Sequence, residues 1–423
     1  MGVALLTVLQ MACVASTFGY LSIWVTSRLG VSSRWSWLLV VYFGLSRYSR
    51  SLFLWRFWKD PLFSCCLVLM VTMLADAVTG KDSRSSALRL LVFGALALGV
   101  MLLRNNGLYI CAALFVVLAI AVALDRLGCI APMKSVSRLA VSLGFALVTC
   151  LVITGPVYSA MGVVPSEDVE SVGIPLAQMA RVAALDGDMS ESDRSYMNEL
   201  LPLDRYKEVY HPSIIDPLKW NDDFNSDHLK DGFWAHWAPM LSRNPSIYFE
   251  AWELQTFGFG PKRNGCRRPS RNFHMGVPYN LVADAKASTG VTFRNLLVPL
   301  GDDVDVAIGL SAWSISGAVV FWLLMFSAAL LVSCGRARLV LPLLPFLLLY
   351  GTLFIASPIW YWPRYIVAAQ FGLPVVIVVV ARGMLSDGRR FRKRCCGIVF
   401  QFRNAALMAL RAGLYCSFVN DYE

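Results

Sequence analysis

The chain has 423 residues, of which 57% are hydrophobic and only 16% charged, with a mean hydropathy of +0.57. A soluble domain carries about a quarter charged residues, so the composition excludes an ordinary soluble enzyme and a disordered chain. The net charge of +10 is unevenly spread: residues 166–305 hold 21 of the 28 acids and 14 of the 38 bases, a net of −7, and the remainder holds 7 acids and 24 bases, a net of +17. Outside 166–305 the bases lie mostly in short loops and the tail, the pattern of a polytopic membrane protein and not of a nucleic-acid binder.

A bilayer core takes about 20 apolar residues per helix. Nine stretches qualify: 3–26, 36–55, 61–79, 87–103, 107–124, 138–160, 306–334, 339–358 and 364–382. Arg47 and Arg50 interrupt the second. Only Arg104, Asn105 and Asn106 separate the fourth from the fifth. The predicted architecture is an all-α polytopic membrane protein of about nine transmembrane helices. It comprises an N-terminal bundle over 1–160, an α-rich extracytoplasmic domain over 161–305 between the sixth and seventh spans, three spans over 306–382, and a basic amphipathic tail over 383–423.

Orientation follows from the loops. Arg28 and Arg34, then Lys81, Arg84 and Arg89, then Arg126, Lys134 and Arg138, then Arg336 and Arg338, and finally the tail, all fall on alternate connections. By the positive-inside rule that side is cytoplasmic. The 161–305 domain and the N-terminus then face outward and the C-terminus inward, in a cell membrane. An outward N-terminus without a basic leader implies either one span too many, at 36–55, or helices ahead of Met1.

Within the outer domain, Ser190 with Asp193 three residues later predicts a capped helix over 190–200. Pro245 opens a second over 245–257. Residues 260–280 read as irregular. Cys266 is the only cysteine of 166–305, so no disulfide is expected inside the domain. Asp216, Asp222, Asp223, Asp227, His228 and Asp231 form an acidic run. It lacks the glycine and terminal glutamate of a calcium loop and reads as a solvated face. No zinc spacing occurs among the cysteines and histidines, and no metal ligand set is assigned.

Ionisable groups at membrane depth are costly and therefore informative. Asp76, at the inner end of the third span, reads as meeting the interface. Asp60, beside Lys59, falls at the outer surface, either as an interfacial ion pair or as an acid lining an outward cavity. Arg104, Asn105 and Asn106 crown the outer turn between two spans, and Gly107 permits the turn. A guanidinium with two amides can grip phosphate or sugar hydroxyls. Trp360 to Tyr365 open the last span, where an aromatic belt with a snorkelling Arg364 is the plainer reading. Lys59, Arg104 and Arg364 around Asp60 would suit an anionic lipid headgroup such as a polyprenyl phosphate.

The order of these elements resembles the GT-C superfamily of membrane glycosyltransferases. Lys59-Asp60-Pro61-Leu62-Phe63 resembles the start of a span in bacterial members, Arg104-Asn105-Asn106-Gly107-Leu108 a second motif, and Pro363-Arg364-Tyr365 with Pro374 the last span. Pro175 to Arg181 and Asp216 to Lys219 are similar to the outer domain of an uncharacterised, mainly actinobacterial family near that group. The resemblance covers most of the chain from about residue 10. It implies transfer of a sugar from a polyprenyl-phosphate donor to an envelope glycan or protein acceptor, at the outer face. It implies Asp60 as catalytic carboxylate, and Lys59, Arg104, Asn105, Asn106, Arg364, Tyr365, Gln178 and Arg181 as substrate-binding groups. Membrane lipids are the other expected partners, and a divalent metal is left open as cofactor. GT-C enzymes usually carry their carboxylate in the loop after the first span, and that loop is expected to be missing ahead of Met1. Two other functions therefore stand beside the first: a non-catalytic envelope assembly protein, and a transporter or flippase for an envelope lipid or polysaccharide.

Overall fold

A computed structural model describes residues 2–45, 59–80, 87–129, 134–163, 169, 171–212, 214–256, 317–356 and 365–385. Among them every regular element is helical. Six stretches are long and apolar enough to cross a membrane: Leu5–Leu29, Lys59–Thr79, Asn105–Arg126, Lys134–Ala160, Ala337–Ala356 and Val367–Met384. Two apolar helices of 17 residues each, Ala87–Leu103 and Gly317–Ser333, lie among them. The chain is thus a multi-pass helical protein. The second predicted span is described only as helix Ser36–Leu45, and the seventh begins, within the described residues, at Gly317.

In chain order the bundle helices are α1 (Gly2–Leu29), α2 (Ser36–Leu45), α3 (Lys59–Thr79), α4 (Ala87–Leu103), α5 (Asn105–Arg126) and α6 (Lys134–Val152). The polar domain follows with α7 (Gly173–Ala184), α8 (Glu191–Leu200), α9 (Phe233–Arg243) and α10 (Pro245–Thr256). The bundle resumes with α11 (Gly317–Ser333), α12 (Leu344–Ala356) and α13 (Val367–Leu385). Prolines shape three of these. Pro156 removes a backbone donor, and the end of α6 widens into a π-helical turn over Ile153–Val157. Pro342 lies in a 3₁₀ stretch, Ala337–Leu343, that leads into α12. Pro374 sits inside α13.

Helices α3 and α13 form the centre: 72% of each apolar window is buried, against 28% for α5. Lipid tails are as apolar as leucine, so burial alone does not drive these helices together; close packing does. Gly372 of α13 shows this, because a Cβ there would lie 2.1 Å from the Phe346 ring of α12. Phe18, Phe43 and Phe371 interlock α1, α2 and α13, with the first two rings stacked at 4.2 Å. The periphery exposes Leu91, Val116, Phe145, Phe326 and Ile377, as a lipid-facing surface requires.

Two ends of the bundle differ. Trp24 and Arg28 of α1 reach Asp76 of α3, Arg89 at the start of α4 approaches the same carboxylate, and Arg382 of α13 binds the Arg28 carbonyl. We call this the basic end. Lys59, Arg104 and Tyr365 lie at the opposite end, which carries the polar domain: Trp252 of α10 donates its indole N–H to the Phe354 carbonyl of α12 at 2.8 Å. Asp76, near the end of α3, is only 5% exposed and draws α1 and α4 onto α3.

The polar domain has its own core, built on Leu176, Met179, Met197, Tyr206, Met240 and Tyr248. The predicted capped helix is present as α8, with Ser190 as N-cap and a full capping box to Asp193. The second predicted helix is α10. Residues 260–280, Cys266 and the 383–423 tail beyond Leu385 lie outside the described residues.

Candidate functional site

The domain end of the bundle holds a buried charge pair. Helix α4 runs to Leu103 and α5 starts at Asn105, so Arg104 alone makes the turn, with extended backbone (φ −147°, ψ 139°). The Gly107 N–H donates back to the Arg104 carbonyl at 2.8 Å. A Cβ on Gly107 would lie 1.9 Å from the Val100 carbonyl oxygen, so the turn closes only over glycine. This geometry aims the Arg104 side chain inward, where 8% of it is exposed.

There its Nη1 meets Asp60 Oδ1 at 3.0 Å. Asp60 stands in the first turn of α3, at the helix terminus that favours a negative charge. The guanidinium also sits over the Tyr365 ring at 4.6 Å and the Phe63 ring at 5.4 Å. A cation between two aromatic faces and a carboxylate is held in both direction and charge. Next to it, Asn106 Nδ2 donates to Thr352 Oγ1 at 3.2 Å and so joins α5 to α12.

Of the residues singled out in the sequence, Asp60, Arg104 and Tyr365 converge from three separate stretches. Asn106 stands one turn of chain away and is committed to α12, while Asn105 and Lys59 are exposed. Asp60 therefore takes Arg104 as partner rather than its neighbour Lys59. Arg364 lies outside the described residues. Phe63 was quoted only as part of a motif, and the structure gives it a ring contact with the cation.

Gln178 and Arg181 of α7 work inside the polar domain. Gln178 donates to the Tyr248 carbonyl at 3.2 Å and accepts from Trp237 Nε1 at 3.0 Å, tying α7 to α10 and α9. Arg181 pairs with Glu250 at 2.7 Å and lies against Tyr210. Burial opposes its charge, but Tyr210 and Glu250 more than offset this and raise its pKa. The acidic run is a surface: Asp223, Asp227 and Asp231 are each more than half exposed. Among the described residues no three His, Cys, Asp or Glu side chains gather closely enough to hold a metal ion.

A second polar hub went unread in the sequence. Asp193 is 2% exposed and is met by Ser190, by His236 Nδ1 at 2.9 Å and by Arg243. Burial alone would raise its pKa. The hydrogen bonds from Ser190 and His236 and the Arg243 charge win, and hold it below the ordinary carboxyl value. Tyr196 stacks on His236 at 4.2 Å and is pushed up to about 12 by burial.

This arrangement draws on nearly the whole chain. A family model described as a family of unknown function, DUF6020, matches residues 1–394. The chain belongs to the DUF6020 family. The match takes in α1 through α13, and with them both the Asp60–Arg104 pair and the polar domain. No curated protein and no solved structure matches the chain.

Proposed function

We propose that this DUF6020 protein is a GT-C-like glycosyltransferase. It would transfer a sugar from a polyprenyl-phosphate donor to a cell-envelope acceptor at the domain end of the bundle, with that end outside the cell. The observation that carries the reading is the convergence of Asp60, Arg104 and Tyr365 beneath the polar domain. Residues of three short motifs, far apart in sequence, meet at one end of the bundle.

The chemistry follows from the pair. A guanidinium forks onto a phosphate as well as onto a carboxylate. When the donor phosphate takes Arg104, an Asp60 oxygen is freed to accept a proton. The acceptor hydroxyl then attacks the sugar's anomeric carbon, its proton passes to Asp60, and the lipid phosphate leaves with the electron pair. Arg104 stabilises the charge on that leaving phosphate, and Tyr365 keeps the guanidinium in place throughout. Lys59, exposed beside Asp60, adds positive charge at the mouth. The polar domain presents the acceptor.

Nine spans and a cytoplasmic basic end complete the proposal, with α4, α11 and the helix starting at Ser36 as the three that supplement the six long ones. Alkaline phosphatase fused after residue 230 is then active and fused after residue 336 is not; the reverse pattern refutes the orientation.

The closed state of the pair supports a second reading, a non-catalytic assembly protein in which Asp60–Arg104 only fastens α3 to the α4–α5 turn. Binding separates the two. Under the first reading, Arg104→Ala weakens polyprenyl-phosphate binding by about 1.5–3 kcal/mol, the scale of hydrogen bonds to charged groups. Arg104→Lys restores it only in part, because an ammonium lacks the fork. Under the second, neither variant changes binding.

A further inference from the structure

At the opposite end of the bundle, a charge cluster and an apolar cavity share the same two helix ends. Asp76 Oδ2 accepts from Trp24 Nε1 at 3.2 Å and from Arg28 at 2.6 Å, with Arg89 at 3.9 Å. Arg382 of α13 spends only its Nε, at 3.1 Å, on the Arg28 carbonyl. Two guanidiniums thus meet one carboxylate, and a third, Arg382, joins the cluster through the Arg28 backbone. Arg28 and Arg89 remain 22% and 23% exposed. Among the described residues no carboxylate pairs with Arg382.

Beside them opens a cavity of about 730 Å³ between α1, α2, α11 and α13. Its walls are apolar, with Leu29, Leu39, Leu323, Val380 and Met384 among them. Leu29 follows Arg28 directly, and Ala381 and Met384, which flank Arg382 and Gly383, also line it. Arg28 and Arg382 therefore adjoin, in sequence, residues that line a hydrocarbon-walled space, in a cluster with more positive than negative charge.

We infer that this cavity binds an anionic glycerophospholipid, with its acyl chains between α2, α11 and α13 and its phosphate on Arg382 and Arg28. Charge complementarity chooses the occupant. A zwitterionic lipid offers the same chains, but brings its own cation to a rim that is already cationic. The volume falls in the range of well-formed ligand cavities. Asp76 positions Arg28 and is not a contact of the lipid. The site stands apart from the Asp60–Arg104 pair and does not depend on the chemistry proposed there.

The full chain, purified in mild detergent and stripped of lipid, tests this by native mass spectrometry and photolabelling. Phosphatidylglycerol and phosphatidylcholine with identical chains, each bearing a photoreactive acyl group, are added in turn. The expected result is one retained phosphatidylglycerol that labels residues 36–42 and 376–384, with phosphatidylcholine held about tenfold less tightly because its choline cation meets the arginines. Arg382→Gln loses the preference, and Arg382→Lys keeps part of it. Val380→Trp fills the cavity and lowers retention of both lipids while Arg382 stays intact. Equal retention of the two lipids by the wild type, an undiminished preference in Arg382→Gln, or labelling confined to other faces of the bundle would each overturn the site. So would a crosslink showing that residues 386–423 of the chain itself fill the cavity.

Discussion

Replacing Asp193 by Ala removes the carboxylate on which α8, α9 and the Ser190 cap depend. Its cost is the sum of two effects. Ser190 keeps its bond from the residue-193 backbone N–H, but its own N–H and hydroxyl lose the Asp193 carboxylate as acceptor, which costs about 1 kcal/mol. His236 and Arg243 lose their acceptor. A hydrogen bond to a charged group contributes about 1.5–3 kcal/mol, but these two side chains are 22% and 30% exposed and rehydrate when freed. About 1 kcal/mol each is the discounted figure. The expected loss is therefore about 3 kcal/mol, and about half of that for Asp193→Asn, which keeps an acceptor for the cap. Hydrogen exchange across residues 190–243, in the full chain in nanodiscs, reads this as a fall in local opening free energy. The pH dependence has a definite sign. Because the folded carboxyl lies below its ordinary value, its contribution is fully present above the unfolded value of about 3.9 and is lost as pH falls through the folded value. Wild-type protection should drop in that acid window, and the Ala variant should show no such step. A change under about 0.5 kcal/mol in the Ala variant at neutral pH would refute the role given to this hub.

Two further substitutions test the packing around the candidate site. Gly107→Ala drives a methyl into the Val100 carbonyl, so the α4–α5 turn must open; the variant should accumulate poorly or lose helix-hairpin protection, and normal yield with native protection would contradict the turn. Trp252→Phe removes the hydrogen bond to the Phe354 carbonyl and should loosen the polar domain from the bundle by about 1 kcal/mol, seen as faster protease cleavage near residue 256. Unchanged cleavage would mean that this contact does not hold the domain.

Much of the scaffold was legible because membrane helices announce themselves by length and apolarity, and because Ser190 and Asp193 follow a local capping rule. The Arg104 turn was legible too, since a lone basic residue with Asn-Asn-Gly leaves few alternatives between two apolar runs. The pairing of Asp60 was not. Sequence adjacency pointed to Lys59, whereas the helix start turns Asp60 inward, toward a residue 44 positions later. The partners of Asp76 were hidden for the same reason: a single acid near a helix end gives no sign of Arg28 and Arg89 arriving from other helices. The motif that holds Gln178 and Arg181 gives no sign of what they touch. Their partners, Trp237, Tyr248 and Glu250, lie about 60–70 residues on, and only tertiary packing brings them together.

The central claim is that Asp60 and Arg104 serve sugar transfer from a lipid phosphate. The most direct measurement is single-turnover transfer from radiolabelled polyprenyl-phosphate sugars to envelope acceptors by the purified protein, compared with Asp60→Asn. The expected result is product from the wild type and a fall of about a hundredfold or more in Asp60→Asn, the scale of a lost general base, with donor binding retained. Equal turnover in the two proteins, or no donor binding by the wild type, would contradict it.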